Sequence, residues 1–166
     1  NKLHKVGSNI NSDICTFSFH PVKSIATGEG GCITTRSKKI YKKGVILKNH
    51  GIQRTKLHWE YDIKQNSHNY RLSDVNCSLG ISQLKKIDKF LQRRNKIAKL
   101  YNKSFNNYEP YIKLPKYNIK NYNSFHLFII SLNFDLMKKN KNHFFKYMLK
   151  KKIMFQYHYK PIYKYS

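Results

Sequence analysis

Acidic side chains are scarce in this chain. It carries 8 Asp and Glu against 33 Lys and Arg, a formal charge of +25 over 166 residues. Such an excess attracts polyanions, and by itself it would indicate a basic nucleic-acid-binding protein. Three features argue against that reading. Arginine, the residue suited to bidentate phosphate and base contacts, is rare: 28 lysines stand against 5 arginines. Asn, Ile and Tyr are also abundant, the mark of a compositional bias rather than a selected charge. The lysines are spread along the chain instead of gathering on one element. Weak, salt-sensitive attraction to polyanions is expected whatever the function.

Cysteine is nearly absent too. Cys15, Cys32 and Cys77 are odd in number and far apart, with no CxxC pair. A zinc site and a disulfide framework therefore have no support, and a reduced, cytoplasmic setting fits. No GxxxxGK[ST] run is present, which excludes a nucleotide-triphosphate loop. The longest apolar-rich run, Phe125 to Phe134, is too short to span a bilayer and is interrupted by His126, Ser131 and Asn133. Asn1 to Val6 lacks the apolar core of a signal peptide. There is no initiator methionine, so the expectation is a chain that begins inside a longer protein. Internal repeats are absent.

What is present is a dense motif near the start. Ile14 to His20 alternates as a strand, with Cys15, Phe17 and Phe19 on one face and Thr16, Ser18 and His20 on the other. Pro21 ends it. Lys23 sits just past the strand end, followed by Gly28-Glu-Gly-Gly31, whose glycines supply the positive-φ positions of a tight turn. Cys32 to Thr35 then returns as a second strand. A lysine held at a strand end can react with a carbonyl when burial or nearby charge keeps part of it unprotonated. In a chain with 28 lysines this spacing is a weak signal by itself, and a glycine turn is most often a plain hairpin.

Further along, Ser37 caps a helix that runs to about Asn49 and stops at Gly51. Residues 52–69, with Arg54, His58, Trp59, Tyr61 and His68, read as a long irregular connection. Ser73 caps a second helix, with Asp74 in its first turn. Val75, Leu79, Leu84, Ile87 and Leu91 form its apolar face, and a break of phase near residue 88 divides it in two or bends it. The pattern stops at Asn106 to Pro110. Phe125 to Leu132 reads as a strand, Asp135 to Lys151 as a helix and Ile153 to Tyr159 as a second strand, the order of a small α+β lobe.

Ser18-Phe-His-x-x-Lys23 with Gly28-Glu-Gly-Gly31 resembles the lysine motif of the DegT/DnrJ/EryC1/StrS sugar aminotransferases. The similarity continues through His50-Gly-Ile, Asn69-Tyr-Arg-Leu-Ser-Asp74, Leu79-Gly-Ile-Ser-Gln-Leu84 and Asp88. It returns at Phe125-His-Leu-Phe and Gln156-Tyr-His-Tyr-Lys-Pro161. The detail is most similar to the branch that serves pseudaminic-acid synthesis. Several motifs in one order are far more specific than any alone.

The resemblance implies an α/β fold, part of the pyridoxal-phosphate transferase fold type I. Residues 1–65 would end the large domain, 66–108 would form linking helices, and 109–166 would begin a small domain. It implies pyridoxal 5'-phosphate as cofactor and transfer of an amino group from glutamate to a UDP-linked 4-keto-6-deoxy sugar. Lys23 would bind the cofactor through its amine and shuttle the proton. Ser18 would bond the cofactor phosphate. Asn69 would reach the phosphate in the neighbouring subunit of a homodimer; without the resemblance it reads as a helix-entry turn residue. Gln156, Tyr157, His158 and Tyr159 would touch the nucleotide sugar, with His158 foremost. His20 reads as packing for the loop.

The family's N-terminal half is expected to be missing from this chain. That half holds a phosphate turn, an aromatic ring that stacks on the cofactor, and an aspartate for the pyridine nitrogen, a role Asp13 does not fill. The alternatives are a non-catalytic remnant and, less in keeping with the ordered motifs, a nucleic-acid binder.

Overall fold

The computed structural model describes residues 4–57, 59–118 and 121–165. His58 lies outside them. The chain divides into two compact units, Asn1–Leu91 and Gln92–Ser166. The expected 1–65 segment falls in the first unit and 109–166 in the second, while 66–108 is shared between them.

In the first unit, β1 (Cys15–Ser18) pairs antiparallel with β2 (Gly31–Thr34), with Cys15 opposite Thr34 and Ser18 opposite Gly31. The alternation holds: Cys15 and Phe17 are half-buried while Thr16 and Ser18 face solvent. The polar N-terminal loop is tied to this ladder. Asn9, 8% exposed, donates from Nδ2 to Thr34 Oγ1 at 3.3 Å, and Thr34 Oγ1 donates to the Gly7 carbonyl at 3.1 Å.

Helix α1 (Lys38–Leu47) starts where the capping rule places it, with Ser37 Oγ accepting from the Ile40 amide at 3.3 Å. The chain leaves it through Gly51, whose amide returns to the Ile46 carbonyl at 3.0 Å. Residues 52–69 are more ordered than expected. β3 (Ile52–Arg54) and β4 (Tyr61–Ile63) form an antiparallel hairpin. Strands of three residues carrying Gln53, Arg54 and Asp62 offer too few alternations to show a period in the sequence.

Helix α2 (Asp74–Leu84) is capped by Ser73, and α3 (Ile87–Phe105) follows after Lys85-Lys86. The phase break is thus a break between two helices. The face of α2 is the surprise. Val75, Leu79 and Leu84, from the expected apolar face, are exposed, whereas Asn76, Gly80 and Gln83 are half-buried. The inward stripe of α2 recurs at helical spacing but is small and polar, while Ile87 and Leu91, the part of the apolar face that falls on α3, are half-buried.

In the second unit, α3 turns Arg94, Ile97 and Ala98 inward, and Ala98 is 2% exposed. β5 (Ile112–Lys113) pairs antiparallel with β6 (Ser131–Leu132). Helices α4 (Phe134–Met137) and α5 (Lys141–Lys150) follow. Three expectations are corrected here. The strand over Phe125–Leu132 is reduced to its last two residues, because the carbonyls of Phe125 and His126 are taken by Arg94 Nη1 at 3.0 and 3.2 Å rather than by a ladder. The helix over Asp135–Lys151 is two helices. Lys138 turns left-handed at φ 48°, and Asn140 Oδ1 recaps α5 by accepting from the Asn142 amide at 2.7 Å. Ile153–Tyr159 forms no strand and leads to a 3-10 turn at Ile162–Lys164. An extended apolar run becomes a strand only where another edge meets it.

The surface explains why such partners are wanting. The chain exposes 14698 Å². Two separate compact bodies, each half of 19.9 kDa, would together expose about 10,000 Å². Large apolar residues make up part of the difference, among them Ile33 at 63% and Ile81 at 60% exposed. Among the described residues no helix is long and apolar enough to cross a membrane.

Candidate functional site

The motif Ser18 to Gly31 forms one closed loop on the end of the β1–β2 ladder. The Phe19 amide donates to the Gly30 carbonyl at 2.8 Å, extending the ladder past Ser18. The Thr27 amide donates to the Phe19 carbonyl at 3.0 Å and closes the loop. Lys23 lies midway between Phe19 and Thr27 and is half-buried, with its amide bonded to the His20 carbonyl at 2.9 Å. Ser18 is exposed at the strand end, and its Oγ accepts from the His20 amide at 3.4 Å. Its own hydroxyl proton is left to be given elsewhere. His20 Nε2 stands 3.6 Å from Glu29 Oε1, tying the strand end to the glycine turn.

Thr27 is the anchor of this loop, at 1% exposure. Its Oγ1 donates to the Glu29 carbonyl at 2.7 Å. Its carbonyl accepts from the Asn76 side-chain amide on α2. A Cβ on Gly80, one turn along α2, would meet Thr27 Cγ2 at 2.9 Å. Gly30 takes φ +133°, and a Cβ there would strike Leu72 Cδ1 at 2.5 Å. Glycine is required at that point both by the backbone and by the space. Gly80 lies in the Leu79–Leu84 motif but was given no role, and neither Thr27 nor Asn76 was given one from the sequence. The signal that could have found them is Gly80, an isolated glycine inside a helix, which usually marks close packing.

Asn69 belongs to the segment just before α2. The segment runs against the end of α1: Asn49 and Asn69 form a β-bridge, the Tyr70 amide donates to the Lys48 carbonyl at 3.0 Å, and the Arg71 guanidinium bonds Asn49 Oδ1. Asn69 Oδ1 accepts from the Arg71 amide at 3.1 Å, a turn role, and the residue is exposed.

Gln156, Tyr157, His158 and Tyr159 lie in the second unit. His158 is half-buried and its ring stacks on Tyr159 with centroids 3.8 Å apart. Tyr157 faces α5, with Lys141 Nζ 3.5 Å from its ring centroid. A shallow cavity of 190 Å³ in this unit is lined by Arg94, Ile97, Ala98, Phe125, His126 and Phe128. It includes no residue expected in the site.

The donor set at Ser18–Gly31 suits pyridoxal phosphate: an amine for its aldehyde and a hydroxyl for its phosphate. The chain superposes on solved sugar aminotransferases, and is part of the pyridoxal-phosphate-dependent transferase fold type I. A model of the DegT/DnrJ/EryC1/StrS aminotransferase family matches residues 2–166. The chain belongs to that family, whose members use pyridoxal phosphate.

It is 42% identical over 167 aligned positions to the UDP-4-amino-4,6-dideoxy-N-acetyl-beta-L-altrosamine transaminase of Campylobacter jejuni, an alignment covering 99% of this chain and 43% of that protein. Helicobacter pylori PseC, an aminotransferase of pseudaminic-acid biosynthesis, superposes with TM-score 0.80 at 32% identity, over 93% of this chain and 41% of that one. A sugar aminotransferase from Streptococcus pneumoniae in its PMP form superposes with TM-score 0.81 at 29% identity, over 93% of this chain and 41% of that one. The chain thus spans about two fifths of the length of these relatives.

Proposed function

We propose that this chain is the lysine-bearing portion of a sugar aminotransferase, and that Lys23 holds pyridoxal phosphate. Ser18 bonds the cofactor phosphate, and Lys23 Nζ moves the proton at the carbon that gives up the amino group. When bound, the cofactor supplies the electron sink for that step. The donor is glutamate and the acceptor a UDP-linked 4-keto-6-deoxy sugar, as the names of the similar proteins suggest for the acceptor. Gln156, Tyr157, His158 and Tyr159 contact the nucleotide sugar. Asn69 offers its amide to the phosphate in the second subunit of a cytoplasmic homodimer. Residues 1–65 complete a large domain, 66–108 link, and 109–166 belong to a small domain.

The observation that carries this reading is the placement of Ser18 and Lys23 on one closed loop, with Ser18 at the strand end and Lys23 at the loop's midpoint. The test is to mix the chain with pyridoxal phosphate, reduce with borohydride and map the labelled peptides. Label concentrated at Lys23 is the expected result. Label scattered over the surface lysines, without enrichment at Lys23, would overturn the assignment. The exposed surface of 14698 Å² favours a second reading for the isolated chain, that it is inactive until the rest of the family fold covers it. Absence of aminotransfer together with labelling at Lys23 is the pattern that reading gives.

A further inference from the structure

We propose that Asn76 is a positioning residue for Lys23, and that the first turn of α2 sets the loop that presents the lysine. The inference rests on the reading of Lys23 as the cofactor lysine and goes beyond it to the groups that hold it.

The geometry is a relay from the helix cap to the loop. Ser73 Oγ accepts the Asn76 amide at 3.2 Å and caps α2. Its hydroxyl donates in turn to Asn76 Oδ1. With its acceptor so engaged, the Asn76 carboxamide has one orientation left, and its Nδ2 donates to the Thr27 carbonyl. Thr27 is the loop's closing residue, held on its other side by the Phe19 carbonyl. The loop between those two residues contains Lys23 at its centre. Gly80 lets α2 approach the Thr27 methyl, and Leu72 occupies the space that Gly30 leaves open. The cap of one helix and the loop of a distant ladder are thereby joined by three side chains.

Without the Asn76 amide the Thr27 carbonyl loses its partner in a place where the Thr27 side chain is 1% exposed. The loop would then relax at its closing bond while β1 and β2 stay paired, because the ladder bonds do not involve Asn76. Lys23 would lose its fixed position rather than its fold.

The experiment uses the full chain and two variants, Asn76→Ala and Asn76→Asp. Asn76→Asp keeps the acceptor for Ser73 but puts an oxygen against the Thr27 carbonyl. Each protein is incubated with pyridoxal phosphate, trapped with borohydride and mapped, and the absorbance of the untrapped adduct is followed against pH. Thermal unfolding checks the fold. The expected result is a roughly tenfold loss of enrichment at Lys23 in both variants, the size of one buried hydrogen bond, with a shifted pH midpoint for the adduct. Wild-type enrichment at Lys23 with equal enrichment and an unchanged midpoint in the variants would overturn the positioning role and leave the cofactor assignment standing. No enrichment in the wild type would overturn both. If Asn76→Ala does not fold, Asn76→Asp decides by the same two readouts.

Discussion

Thr27 and Gly80 meet where no larger residue fits: a Cβ on Gly80 would stand 2.9 Å from Thr27 Cγ2. Gly44, in the middle of α1, has nothing within 4 Å of the same point. The two helical glycines carry the same propensity penalty, so they separate packing from propensity. Gly44→Ala should stabilise the first unit by about 0.5–1 kcal/mol. Gly80→Ala gains the same propensity, but the overpacking against Thr27 outweighs it, for a net loss of about 1–2 kcal/mol. Urea unfolding of the two variants checks the pair. Equal gains at both positions would show that α2 does not lean on the lysine loop.

In the second unit Arg94 replaces a ladder. Its Nη1 donates to two successive carbonyls, those of Phe125 and His126, and Asn95 Nδ2 donates to Asn123 at 2.9 Å. Arg94→Met should cost about 1.5–3 kcal/mol of local stability, the range for hydrogen bonds to a charged group. Arg94→Lys should recover only part, since an ammonium lacks the planar fork. Hydrogen exchange over residues 123–128 is the measure. Unchanged protection in Arg94→Met would mean that the backbone there is held by something else.

Cys32 lies opposite Phe17, on the same face of the ladder as Cys15. Partial burial, and then Cys15, push its thiol above the ordinary value of 9.0. The folded state therefore holds the Cys32 proton more tightly than the unfolded chain does. The associated stability is fully present below the ordinary thiol range and is lost as pH rises above it. Since only the thiolate is alkylated, iodoacetamide labelling of the Cys32 peptide should rise at higher pH in the native chain than in the same chain in urea. Coincident profiles would remove the shift.

The helix starts were legible because capping is chemistry between near neighbours: Ser37 with Ile40, and Ser73 with Asn76. The lysine loop was legible for a similar reason, as Pro21 and the glycines restrict the backbone where they stand. The longer strands were misjudged. Phe125–Leu132 and Ile153–Tyr159 have strand composition, but a strand is completed by another edge, and these stretches find arginine or solvent instead. The inward face of α2 was not legible, because Asn76 and Gly80 do not look like buried residues.

By itself the sequence determined the order of motifs, the caps, the turn after Lys23 and hence the family. Those features depend on dihedral preferences and hydrogen bonds spanning a few residues, which residue types dictate directly. Only the tertiary structure decided that Thr27 would anchor the loop and that Asn76, 49 residues away, would hold it. Such a bond depends on bringing α2 against the ladder, and whether that approach is possible is set by space at Gly80 and Gly30 rather than by any local preference.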